Sequence, residues 1–295
     1  MSGRPERLRG TSLFSPLTLV LGLLVLIGGF FLLKRFLFGL GAVTHLSAGY
    51  PWGLWVTWDL IIGSALGCGG FAMAILIYAF NRGQYHPLMR PALLSSLFGY
   101  FLAGAAAVFD MGRWWQFYNL LLPWHWNFNS VMLETGLCVS AYALLLMVEF
   151  APTVMERFGS MDTWRRRLER VMWFIIALGI LLPLMHQSSL GSILLVLGHK
   201  LSPLYNTPWL PLLFVSSALT MGYGLVIVEA TVVTRSFRLK SEHALLSKLS
   251  QVVGWLLAAW LVLRWGDLLW RGALDEAFAT TALAGSFWFE NAFAG

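Results

Sequence analysis

The run LFSPLTLVLGLLVLIGGFFLL, from Leu13 to Leu33, holds 21 residues without a single charge. A helix rises about 1.5 Å per residue, so a run of this length crosses the roughly 30 Å hydrocarbon core of a bilayer. The basic stretch MSGRPERLRG before it resembles the start of a secretory signal. The apolar run, however, exceeds the roughly 7–15 residues of a signal core, and no small-x-small cleavage site follows it. We read it as an uncleaved first membrane span.

Six further segments meet the same length test: Trp55–Phe80, Pro91–Phe109, Phe128–Phe150, Val171–Met185, Pro208–Val233 and Leu246–Leu269. The fifth of the seven is short. It meets a polar break, His186-Gln187-Ser188-Ser189, and then a second apolar stretch, Leu190–Leu197, expected as an interfacial or re-entrant helix. An eighth segment, from Phe278 to Gly295, reads as an incomplete final helix or the end of a fragment. The expected fold class is all-α: a polytopic transmembrane helical bundle of about eight spans, the last one incomplete. The longest polar loop, Ala151–Glu169, is too short to fold alone, so residues 1–295 form a single integral membrane domain.

Composition agrees. Hydrophobic residues make up 58% of the chain and charged residues 12%, against about 25% charged in soluble domains. A chain this apolar must face membrane lipid. The net charge of +6 does not indicate nucleic acid, because the basic residues sit in short loops between apolar runs. Fourteen Lys and Arg fall on the side of the N-terminus and three on the opposite side. The positive-inside rule then places the N-terminus in the cytoplasm. Lys34 and Arg35, at the outer end of the first span, are expected to snorkel toward the interface.

The outer loops Gly41–Gly53 and Asp110–Asn127 are poor in charge and rich in aromatics, including Trp52, Trp114, Trp115, Trp124 and Trp126. They form either an ordinary aromatic belt or a platform for an extracytoplasmic partner. Cys68 and Cys138 lie in apolar segments with no CxxC grouping, so the chain supplies neither its own iron–sulfur cluster nor any metal site.

Ionisable groups inside a bilayer cost about 2.5–3.5 kcal/mol each on insertion scales, so they mark function or pairing. Asp59 lies little more than a turn into the second span. Glu134 lies about two turns into the fourth, with no basic neighbour on its own helix. Arg264 and Asp267 share one face of the seventh span at i,i+3 spacing, where they can pair, and Asp110 and Arg113 repeat that spacing. Either these groups are ion pairs that hold helices together, or they move protons. All six histidines, His45, His86, His125, His186, His199 and His243, read as loop or helix-end residues. No two make a mid-membrane pair, so no haem is expected. His125 and His186 are either interfacial hydrogen-bonded residues or partners for a quinone carbonyl.

Several stretches are specific enough to resemble a known family. They are Gly39-Leu40-Gly41-Ala42-Val43-Thr44-His45, Gly49-Tyr50-Pro51-Trp52-Gly53, Asn81-Arg82-Gly83-Gln84-Tyr85-His86-Pro87-Leu88, Asp110-Met111-Gly112-Arg113 and Trp124-His125-Trp126-Asn127. The stretch around Glu134, His186-Gln187-Ser188-Ser189 and Arg264-Trp265-Gly266-Asp267 continue the match in order. Together they resemble the HybB-type membrane subunits of nickel–iron hydrogenases, within the wider NrfD/polysulfide-reductase family. The resemblance implies a haem-free subunit that passes electrons between a partner iron–sulfur protein and exchangeable menaquinone or ubiquinone. It implies as partners a periplasmic ferredoxin-like subunit and the large and small hydrogenase subunits. It also implies that family members continue beyond the C-terminus of this chain.

On that footing Asp59, Asp110, Arg113, His125 and His186 are expected to line a quinone pocket near the outer ends of the second to fifth spans. Glu134, with Arg264 and Asp267, is expected to carry protons. Three alternatives remain. One is the membrane subunit of a polysulfide, nitrite or molybdopterin reductase. The second is a secondary transporter, which buried charges and a broken helix would suit. The third is a passive anchor.

Overall fold

The computed structural model describes residues 15–46, 57–156, 162–196, 198, 201–236 and 243–294. Among them are seven helices long and apolar enough to cross a membrane. α1 (Pro16–Phe38) begins at Ser15, whose hydroxyl accepts the Thr18 N–H, with Pro16 at the first helical position. α2 (Leu60–Ala79) is the second span. α3 (His86–Asp110), α4 (Val131–Met155), α5 (Asp162–Val196), α6 (Leu210–Ser236) and α7 (His243–Arg271) follow. After a single turn, Leu274–Ala277, the segment expected as an eighth span folds as α8 (Ala282–Ala294). At 13 residues, α8 reaches about 20 Å, short of a bilayer core.

Successive helices from α3 to α7 pack against one another, and α2 sits among α3, α5 and α6. In α2, 67% of the most apolar window is buried, against 6% in α1. The outer surfaces of the helices carry Leu, Val, Phe and Trp, which is the arrangement lipid requires.

α2 is not the unbroken helix that its hydropathy predicts. π-helical turns at Thr57–Ile62 and Ile75–Ala79 flank two short α segments, which are separated at Gly67-Cys68. Small residues allow neighbouring backbones to approach it. A Cβ on Gly222 of α6 would lie 2.9 Å from the Cys68 carbonyl carbon, so only glycine fits there.

α5 corrects the reading of the fifth span. It continues for 35 residues through Pro183 and through His186-Gln187-Ser188-Ser189, with no break. The polar run stays helical because its groups are satisfied locally. Ser188 and Ser189 donate to the Met185 carbonyl and Ser192 to that of Ser188. His186 and Gln187 are buried against α2 and α3, not exposed to a channel mouth.

Arg35 does not snorkel. It is 3% exposed, and its guanidinium donates to the Phe109 carbonyl at 2.6 Å and to the Met111 carbonyl, tying α1 to the C-terminus of α3. The terminal carbonyls of a helix lack intrahelical donors, which makes them acceptors for a cation.

Candidate functional site

A cavity of about 1020 Å³ opens between α3, α4 and the loop that joins them. Its walls are mainly apolar, with Phe101, Val108, Leu133 and Val139 among them. At one end stand Asp110, Arg113 and His125; toward the other stands Tyr100. The α3–α4 loop is built from 3-10 turns over Trp114–Leu121 and Pro123–His125, and the Trp126 indole donates to the Leu120 carbonyl. That bond folds the loop over the cavity and brings His125 to its wall. Known ligand pockets of about 300–1,000 Å³ show the same pattern of apolar walls and a few convergent polar groups.

Behind Tyr100 lies a buried polar network. The Tyr100 hydroxyl stands 2.8 Å from His186 Nε2, and His186 Nδ1 stands 3.0 Å from the Leu182 carbonyl. A carbonyl only accepts, so Nδ1 carries the imidazole proton, and Nε2 accepts from Tyr100. The Gln187 amide reaches Ser64 Oγ at 3.2 Å and also His186 Nε2. Tyr142 of α4 packs edge-on against Tyr100 with ring centroids 4.6 Å apart. Seven residues on, and so on the same face of α4, Glu149 is 8% exposed, with its carboxylate against Gly179 of α5.

Asp110, Arg113 and His125 are thus brought together at one cavity. His186 does not line it but contacts Tyr100, which does. Asp59 falls in the π-helical turn of α2, and its side chain lies outside the described residues. Glu134 is in the first turn of α4, exposed and away from the cavity lining.

The expected pairing of Arg264 with Asp267 is not formed. Asp267 pairs instead with Arg271 at 2.7 Å and accepts from Thr207 at 2.8 Å. Both spacings bring side chains together on a helix, so packing decides which pair forms. Arg264 is turned the other way, over the rings of Tyr205 and Phe287.

Tyr100, Tyr142 and Glu149 were missed. Tyrosines in an apolar run carry no sequence signal of their own. Glu149 stands one residue before the assumed end of its span, where a carboxylate reads as interfacial.

Comparison with known proteins places the chain. The family model "Polysulphide reductase, NrfD" matches residues 42–295. The chain belongs to the NrfD family. It is 44% identical to an Escherichia coli (strain K12) protein named "Probable Ni/Fe-hydrogenase 2 b-type cytochrome subunit", over 98% of this chain and 74% of that one. It is 27% identical to "Menaquinone reductase, integral membrane subunit" of Nitratidesulfovibrio vulgaris (strain Hildenborough), over 78% of this chain and 56% of the relative. A second protein of that organism is 32% identical over 82% of the chain and 62% of its own length. No solved structure matches. Like its NrfD relatives, the chain is an integral, multi-pass membrane protein.

The expectation that no haem is bound is corrected by the first of these relatives, which is named a b-type cytochrome subunit. Its premise also fails, since His186 is not at a helix end but in the interior of a span. As folded, both ring nitrogens of His186 hold hydrogen bonds, so the imidazole presents no free nitrogen.

Proposed function

We propose that this NrfD-family chain is the quinone-reactive membrane subunit of a respiratory oxidoreductase. Electrons pass between a partner iron–sulfur protein and a menaquinone or ubiquinone seated in the α3–α4 cavity. The observation that carries this reading is the cavity itself, an apolar space with Arg113 and His125 at its mouth and the Tyr100–His186 pair toward its inner end. The names of the relatives, a hydrogenase subunit and a menaquinone reductase subunit, support the same class.

Reduction of a quinone to a quinol takes two electrons and two protons. The electrons arrive from the partner's cluster. Arg113 and His125 can donate hydrogen bonds to one quinone carbonyl, which favours the charge that develops on it. Protons reach the inner wall through hydrogen-bonded groups, and the buried Tyr100–His186 pair with Glu149 below it suits that task better than the exposed Glu134. The residues' roles here are binding, orientation and proton supply.

The partner sits on the aromatic α3–α4 loop, where Trp124 is 75% and Phe128 is 82% exposed. With a hydrogenase as partner, electrons run toward quinone; with a terminal reductase they run from quinol, through the same cavity. The excess of basic residues on one side supports a cytoplasmic N-terminus with this loop outside, at an inner membrane.

The test uses the purified complex with its co-purifying subunits. Arg113→Gln should raise the KM for a soluble menaquinone analogue while leaving turnover with an artificial acceptor unchanged. Equal loss of both activities, in complex of normal composition, would defeat the assignment.

A further inference from the structure

A second, smaller cavity of about 300 Å³ lies at the same end of the bundle, where α5 contributes Leu194 to it and Ile193 to the first. It is lined by α5, α6, α7, α8 and the loop before α6, and its apolar wall includes Leu194, Leu210, Leu213 and Phe214. Arg264, Trp260, Tyr205 and Glu290 line it as well.

The polar groups of this cavity are unbalanced. Arg264 is 2% exposed, and its Nε has no hydrogen-bond partner. The Trp260 indole Nε1 is also buried without a partner. Both are donors only. The acceptor nearby, the Glu290 carboxylate, lines the cavity with Tyr205 and faces the Arg264 charge. A buried donor without a partner costs free energy comparable to a lost hydrogen bond, and two in one cavity call for an acceptor from outside the chain. Glu290 offsets the guanidinium charge, which disfavours a free anion. The apolar walls disfavour a fully hydrated ligand.

We propose that this cavity is a second binding site, which takes the carbonyl head of a neutral membrane amphiphile, with its oxygen accepting from Arg264 Nε and Trp260 Nε1. A quinone ring and the glycerol ester of a phospholipid share that chemistry. The site is independent of the α3–α4 cavity, and it stands whether or not that cavity takes quinone.

The experiment is photolabelling of the full chain, with its co-purifying subunits, in lipid nanodiscs. One arm uses an azidoquinone and the other a phosphatidylcholine with a benzophenone on its acyl ester. Label on α6 residues 210–217, competed by unlabelled menadione, supports the site with quinone as source. Label there by the lipid probe alone, competed by unlabelled phospholipid, supports it with the ester as source. In either case Trp260→Phe, which keeps the ring and removes one donor, should cut the label about fivefold, the effect of one hydrogen bond. Absence of label at 210–217 from both probes, or label unchanged by Trp260→Phe, overturns the proposal. Labelling of α3 and α4 by the azidoquinone is read separately and reports on the first cavity alone.

Discussion

The Tyr100 hydroxyl and His186 Nε2 stand 2.8 Å apart, each from a different helix and each buried, and Tyr100 alone of the two touches the large cavity. This contact joins the cavity wall to the polar core of the bundle. Tyr100→Phe keeps the ring and removes only the hydroxyl. It should lower quinone-linked turnover about a hundredfold, the lower end of the range for one general acid–base group. Turnover with an artificial acceptor should stay near wild type. Parallel assays on membranes of matched subunit content check this.

Arg35 holds the turn that presents Asp110 and Arg113, through the carbonyls of Phe109 and Met111. Arg35→Ala leaves those carbonyls without their donor, at a cost of about 1.5–3 kcal/mol for a charge-assisted bond. The expected outcome is a raised KM for the quinone analogue with less change in kcat. Arg35→Lys should restore part of the loss, since it returns the charge but not the forked geometry. An unchanged KM in the alanine variant would sever α1 from the site.

Two carboxylates on α4 compete for the proton role. Glu149 is buried on the face that carries Tyr142, whereas Glu134 is exposed in the first turn. Glu149→Gln should reduce quinone-linked turnover at least about tenfold, and Glu134→Gln should change it less than about twofold. The reverse order, measured as initial rates in sealed vesicles, would return the role to Glu134.

Gly222 meets the backbone at Cys68 with no room for a side chain. Gly222→Leu forces α6 away from α2 and opens the polar core, a clash expected to cost about 3 kcal/mol or more. A Cβ on nearby Gly224 meets nothing within 4 Å, so Gly224→Ala should be tolerated. Thermal unfolding of the two variants in detergent, read by loss of helical signal, separates them.

Much of the molecule was legible along the chain. About eight spans were expected, the last one incomplete; seven appear among the described residues, and the eighth segment forms only the short α8. Asp110, Arg113 and His125 were readable as one group because all three border a single loop. The continuity of α5 was not readable. A run of His, Gln and two Ser resembles a break until the helices that satisfy it are in place. Nor was the partner of Asp267, since both i,i+3 and i,i+4 cations were available and only packing chose between them.

The amino-acid order by itself determined the membrane, the seven long crossings and the family. These depend on transfer of whole segments from water to lipid, a local sum that no fold can reverse. Tertiary structure alone decided which polar groups are buried together. Tyr100 meets His186 and Ser64 meets Gln187 across helices far apart in sequence, and burial, which sets the cost of every unpaired donor and carboxylate, is a property of neighbours, not of order along the chain.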